Sequence, residues 1–221
     1  APIYTPARPH LSRILPAADK AGIAEPTARL MNNFGLHLEA RADFAEAEPL
    51  YRRALSIYES SYGPNHPEVA RDLNNLAELL RVTNRHTEAE PLYRRALSID
   101  ETSYGPNHPE VATDLNNLAG LLRATNRPAE AEPLYRRALA INETSYGPNH
   151  PTVATGLNNL ANLLSATNRH SEAEPLSRRS VEILVQFQQQ TGHKHPHFDG
   201  VFGWYRRILE SLGLDTAATE S

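Results

Sequence analysis

Residues Ala89–Pro109 read AEPLYRRALSIDETSYGPNHP. Forty-two residues on, Ala131–Pro151 read AEPLYRRALAINETSYGPNHP, and forty-two residues back, Ala47–Pro67 read AEPLYRRALSIYESSYGPNHP. A worn fourth copy opens at Ala173 as AEPLSRRSVEIL. A self-similar period of roughly 20–50 residues marks an array of supersecondary units, each burying its apolar face only against its neighbours.

The residues between two copies show what one unit is. From Pro67 the chain runs PEVARDLNNLAELLRVTN. Val69, Leu73, Leu76 and Leu80 recur at intervals of three and four, the spacing of a helix with one buried stripe. Ala70 and Ala77 flank that stripe and permit close approach of a second helix. Asn65 is expected to cap this helix, with Glu68 closing a capping box and Pro67 in the first turn. Asn84, which tolerates the left-handed conformation, is expected to end it. A second helix then spans about His86 to Ser103, with Ala89, Leu92, Ala96, Leu97 and Ile99 as its apolar side and Pro91 near its first turn. Gly105-Pro106 ends the unit.

The other units follow the same plan. The first places Met31, Phe34 and Leu38 on its stripe and pairs with a helix over Ala45–Ser60. The third uses Val111, Leu115, Leu118 and Leu122, and the fourth Val153, Leu157, Leu160 and Leu164. The expected organisation is four helix pairs over residues 26–190, a closing helix within 191–214 and a disordered tail over 215–221. Phe198, Val201, Phe202, Tyr205, Ile208, Leu209 and Leu212 give the closing helix a wide apolar side, as an end cap needs. Residues 1–25 carry Pro2, Pro6, Pro9 and Pro16 and read as an irregular arm with a short turn around Ala17–Ala21. Ile3, Tyr4, Leu11, Ile14 and Leu15 offer it apolar groups to lay over the first repeat.

Composition excludes several classes. The 221 residues carry a net charge of −4 and no cysteine. A disulfide framework, a cysteine nucleophile and a cysteine zinc site are excluded, and no basic balance argues for nucleic acid. No apolar run approaches a membrane span and no secretory signal is visible, so the expected location is cytoplasmic.

The phrases LNNLA, EAEPLYRRAL and YGPNHP, with small residues at Ala77, Ala89 and Ala96, resemble the tetratricopeptide repeat. The forty-two-residue length, above the usual ~34, is similar to that of the kinesin-light-chain-like subfamily. The resemblance covers roughly residues 26–212. It implies an all-α, right-handed superhelical solenoid of helix pairs with a C-terminal capping helix. It implies, too, a non-catalytic scaffold whose concave groove binds an extended peptide of a protein partner. Grooves of this subfamily favour acidic peptides with an aromatic residue, so the resemblance implies such a ligand. The alternatives are a self-associating structural array and a regulatory interaction module cut from a larger protein.

On the first helix of the second unit, Arg71, Asn75, Glu78 and Val82 lie opposite the buried stripe. The matching positions are Arg29, Asn33, Leu36 and Ala40, then Thr113, Asn117, Gly120 and Ala124, then Thr155, Asn159, Asn162 and Ala166. In the family this face lines the groove. Asn33, Asn75, Asn117 and Asn159 form one column, and Asn32, Asn74, Asn116 and Asn158 form its neighbour. Asparagine is a poor residue inside a helix, and its carboxamide both donates and accepts. A ladder of asparagines can hold a peptide backbone without reading its side chains, as the first column does in related repeats. The competing account is duplication of near-identical units, or bonds between neighbouring helices; the groove role is preferred for the first column and the competing account for the second, Asn32, Asn74, Asn116 and Asn158. The small residues Gly120, Ala124 and Ala166 leave room on this face, Asn162 is a further candidate groove residue, and Arg29, Arg71 and Arg123 add positive charge. Trp204 falls in register with the asparagine column and could close the groove with an aromatic wall or pack in the cap.

The paired arginines of the second helices look like a basic ladder, but Glu48, Glu90, Glu132 and Glu174 stand four residues before the first arginine of each pair. These are expected i,i+4 ion pairs, worth about 0.2–0.5 kcal/mol each. His66, His108 and His150 recur beside the expected capping asparagine and read as loop residues. Neighbouring units lie about 10 Å apart, too far to share one metal ion. His193, His195 and His197 are close in sequence but have no companion carboxylates or zinc spacing. No glycine-rich phosphate loop or nucleophile elbow is present, so no catalytic residue and no cofactor are expected.

Overall fold

The computed structural model describes residues 8–20, 22 and 24–214, with side chains from Ile14 onward. Every regular element among the described residues is an α-helix. In chain order these are α1 (Arg8–Lys20), α2 (Ala24–Glu39), α3 (Phe44–Tyr62), α4 (Pro67–Val82), α5 (His86–Tyr104), α6 (Pro109–Ala124), α7 (Pro128–Tyr146), α8 (Pro151–Ala166), α9 (His170–Thr191) and α10 (Phe198–Ser211). They fall into two compact units, Ala1–Pro106 and Asn107–Ser221.

In the first unit α2 pairs with α3 and α4 with α5, and α3 packs on α4. The stripe Val69, Leu73, Leu76 and Leu80 is buried, as the period requires. Each such fully buried leucine contributes about 1.5–3 kcal/mol of transfer free energy. Ala47, Ala54, Ala89 and Ala96 are buried on α3 and α5, where their small side chains let the paired helix come close. Gly35 allows the tightest approach: a Cβ there would lie 2.6 Å from Tyr51 Cε1. On α5 the buried aromatic is Tyr93, whereas Leu92 and Leu97 are only half-buried. The apolar side read from the sequence is thus rotated. Pro91 lies inside α5, in its second turn, just past the first turn that the sequence suggested.

The second unit repeats the pairs as α6 with α7 and α8 with α9, with α7 against α8 and α10 against α9. Val201, Ile208 and Leu209 of α10 are buried, while Leu212 remains exposed.

Both ends of the first helices are set by single residues. The N-cap is His66, not the expected Asn65, and its Nδ1 accepts the Glu68 backbone N–H at 3.2 Å. His108 does the same for Glu110 at 3.3 Å and His150 for Thr152 at 3.2 Å. Each histidine has an extended backbone and is followed by a proline at the helix start, which needs no partner for the N–H it lacks. Stacking on Tyr62 at 4.5 Å holds the His66 ring, and stacking on Tyr146 at 4.9 Å holds that of His150. Past the C-termini, Asn84, Asn126 and Asn168 adopt φ of 60°, 59° and 61°. This is the left-handed stop expected of asparagine. The first unit puts Ala42 in the same conformation, at φ 61°.

The Pro-rich opening departs from the expected irregular arm. Residues Arg8–Lys20 form α1 despite Pro16 inside it. Leu15 is buried with Met31, Phe34 and Leu38, and Asp19 accepts two bonds of 2.6 Å from Arg53 of α3. Those tertiary contacts offset the backbone bond that Pro16 cannot make. Ile14 points to solvent. Ile3, Tyr4, the Leu11 side chain and the tail over 215–221 lie outside the described residues.

Candidate functional site

The face opposite the buried stripe reaches solvent on all four first helices. On α2, Arg29, Asn33, Leu36 and Ala40 are exposed. On α4, Arg71 and Val82 are exposed, and Asn75 and Glu78 are half-buried. On α6, Thr113, Arg123 and Ala124 are exposed and Asn117 and Gly120 half-buried. On α8, Thr155, Asn159 and Asn162 are half-buried. The first asparagine column therefore lies where a ligand can reach it.

The second column turns inward. Asn32 of α2 is buried and donates its Nδ2 proton to Asp72 Oδ1 of α4 at 2.7 Å, tying two first helices together. Burial pushes the Asp72 carboxyl up to about 7; the Asn32 bond and nearby Arg71 only partly counter this. Asn74 is half-buried. Asn116, also half-buried, donates instead to the Ala112 carbonyl of its own helix at 2.9 Å.

In the second unit an open pocket of about 610 Å³ lies on this face. Thr113, Asn116 and Asn117 of α6 and Thr155, Gly156 and Asn159 of α8 line it. Asn142 of α7, Phe187 of α9 and the rings of His150, His195 and His197 complete the wall. The structure thus brings Asn116, Asn117 and Asn159 together. Trp204 does not line this pocket; it is half-buried on α10 with the Arg207 guanidinium 5.0 Å above its ring. Asn162 also stands apart from the pocket, its Oδ1 buried without a partner.

The predicted cations divide by pairing. Arg71 is paired with Glu68. No described acid pairs with Arg29 or Arg123, which leaves their charges available. Arg81 holds Glu78 at 2.6 Å, and Tyr93 donates its hydroxyl to the same carboxylate at 2.8 Å. The Arg81 bond is the largest cause that holds Glu78 below the usual carboxylate range. In the first repeat Tyr51 donates to Glu39 at 3.0 Å, but burial dominates there and raises the Glu39 carboxyl.

The outer arginines are neutralised as expected. Arg52–Glu48, Arg94–Glu90, Arg136–Glu132 and Arg178–Glu174 form i,i+4 pairs at 2.8, 2.7, 2.7 and 3.2 Å. The second arginine of the pair has a different use that the sequence reading missed. Arg95 reaches back to Glu59 at 2.6 Å and to the Pro64 carbonyl at 2.7 Å. Arg179 repeats this on Glu143 and Pro148 at 2.6 and 2.9 Å. The signal was present as a glutamate thirty-six residues before each arginine.

Among the described residues, no group of three or more His, Asp or Glu side chains is placed to hold a metal ion. His195 uses its Nδ1 to accept the His197 backbone N–H at 3.2 Å, and their rings lie 5.4 Å apart. No described helix is long and apolar enough to cross a membrane.

The sequence profile described as "Tetratricopeptide repeat" matches residues 26–102, 73–144 and 127–184. The chain belongs to the tetratricopeptide repeat family. Such repeats are generally protein-interaction scaffolds and are typically non-catalytic. Among solved structures, BtubC (BKLC) from P. vanneervenii is similar with a TM-score of 0.79 at 22% identity, over 96% of this chain and 85% of that one. A Podosopora anserina protein described as a kinesin light chain with nearly identical TPR-like repeats gives 0.71 at 21% identity, over 87% and 90% of the two chains. A substituted form of that protein gives 0.72 at 21%, over 87% and 89%. At these identities the likeness is one of fold, and it agrees with the kinesin-light-chain-like repeat read from the sequence. No curated protein matches the chain in sequence.

Proposed function

We propose that this tetratricopeptide repeat protein holds an extended peptide segment of a partner protein along the asparagine-bearing faces of its first helices. One observation carries the reading: Asn117 and Asn159, equivalent residues of successive repeats, line the same open pocket. A carboxamide at that place can accept from a peptide N–H and donate to a peptide C=O, so it grips backbone of any sequence. Asn33 and Asn75 present the same group on α2 and α4. Arg29 and Arg123, exposed and unclaimed by a described acid, favour acidic side chains beside that backbone; Arg71 contributes less because Glu68 already neutralises it.

The test is a peptide-display selection against the whole chain, followed by affinity measurement on two double variants, Asn33→Ala/Asn75→Ala and Asn117→Ala/Asn159→Ala. Each lost carboxamide bond is worth about 0.5–1.5 kcal/mol, so a double variant should bind about 5- to 150-fold more weakly with helicity unchanged. Selected peptides that bind both variants at wild-type affinity would refute the reading.

A further inference from the structure

The Asn32–Asp72 bond has no counterpart at Asn116, and the pocket lies there. In the first unit Asn32 Nδ2 is bonded to Asp72 Oδ1 at 2.7 Å, with both side chains buried. The aspartate position recurs as Asp114 and then becomes Gly156. Asn116, the equivalent of Asn32 two repeats on, therefore faces a glycine where a carboxylate would stand. Its Nδ2 turns back to its own helix, and its Oδ1 is buried with no partner. Beside it Asn142, only 4% exposed, lines the pocket, and no described group hydrogen-bonds its carboxamide. Tyr58 and Asp100 hold that position in earlier repeats, and Leu184 holds it in the next. The pocket's 610 Å³ lies within the roughly 300–1,000 Å³ of small-ligand sites.

We propose that this pocket is a specificity site for a primary carboxamide, the side chain of glutamine or asparagine in the bound peptide. The peptide source of that group rests on the function proposed above; the pocket chemistry stands on its own residues. Asn116 Oδ1 is turned away from the opening, as Asn32 Oδ1 is in the first repeat, but the Asn142 carboxamide lines the pocket and needs both a donor and an acceptor. A carboxamide supplies both. A carboxylate has no proton to give, and no lysine or arginine lines the pocket to balance its charge. Burial, aided by neighbouring His197, holds the His195 pKa below its ordinary value, which keeps that part of the wall uncharged near neutral pH. An aliphatic side chain would seal the Asn142 carboxamide away without a partner. Asn117 and Asn159 border the same opening, so a side chain of a peptide held by them can enter it.

The probe is N-acetyl-L-glutamine methylamide, titrated into the whole chain while the asparagine side-chain NH₂ resonances are followed by NMR. The blocked glutamate and leucine analogues run beside it. The Asn142 NH₂ signals should shift saturably with the glutamine probe, at least about tenfold more tightly than with either analogue, since a site built to hydrogen-bond rejects ligands lacking the group. Two variants should abolish the shift. Asn142→Leu copies the residue of the next repeat. Gly156→Asp restores the carboxylate of earlier repeats; its Cβ would meet Leu139 Cδ1 at 3.3 Å, a contact a leucine rotamer can relieve. Retained backbone amide dispersion shows that the variants fold. Equal shifts with all three probes, no shift with glutamine, or shifts that survive both variants would overturn the proposal. Free L-glutamine binding more tightly than the blocked form would overturn the peptide assignment in favour of an amino-acid site. Peptides that bind without any glutamine or asparagine preference would leave the peptide-holding face standing and remove the subsite. Binding of the blocked glutamine with no peptide binding would do the reverse.

Discussion

Replacing Asp72 by asparagine should stabilise the protein, and the gain should depend on pH in one direction. The Asp72 carboxyl is buried, and burial lifts its pKa from 3.8 to about 7. The folded chain therefore holds a proton that the unfolded chain releases over that interval. Stability falls as pH rises from about 4 to about 7, and the full cost applies above the folded pKa. A pKa difference of about three, at about 1.4 kcal/mol for each pH unit, amounts to about 4 kcal/mol. The Asp72 Oδ2 and Asn32 Oδ1 atoms are both buried without partners, and an asparagine amide at position 72 brings the protons that neutral aspartic acid has only one of. Asp72→Asn should therefore exceed wild type by about 1 kcal/mol near pH 4.5 and by about 3 kcal/mol more near pH 8. Urea unfolding followed by circular dichroism at both pH values measures the gap. Hydrogen exchange of α2 and α4 amides localises it. Arg71 and Glu68, the charges nearest the carboxyl, are common to both proteins and cancel in the comparison. A gap that stays constant across that pH range would show Asp72 to be ionised at an ordinary pKa, and the burial argument would fail.

Two further substitutions follow from backbone conformation. Ala42→Asn puts into the first repeat the residue that the other three repeats use at φ near 60°, and should raise stability by about 0.5–1 kcal/mol, read from the urea midpoint. No gain would show that alanine sits there without strain. His66→Ala should cost about 1 kcal/mol through loss of the α4 cap, while His66→Asn should keep most of it; equal losses would mean that the Tyr62 stack, not the cap, gives the histidine its value.

The fold was legible because four copies of one phrase fix the period, and the period fixes the helix pair. The stripe Val69–Leu80, the asparagine stop at Asn84 and the Glu–Arg pairs all follow from local spacing. What stayed hidden depends on context beyond one helix. Histidine ranks low among caps, so Asn65 looked better than His66; only the Tyr62 stack and the proline at the helix start reveal the choice. α1 survives Pro16 through Leu15 and Arg53, contacts that no local rule contains. At the site, the first asparagine column was readable from helical phase. The inward turn of Asn32 needed Asp72, forty residues away, and the pocket at Asn142 needed the loss of that aspartate at Gly156.

The central claim is that the first asparagine column grips peptide backbone. The most direct test is the affinity of one display-selected peptide for wild type and for Asn117→Ala/Asn159→Ala, with circular dichroism confirming equal helicity. The account predicts about 5- to 150-fold weaker binding by the variant, two carboxamide bonds at about 0.5–1.5 kcal/mol each. An unchanged dissociation constant in a fully helical variant would contradict it.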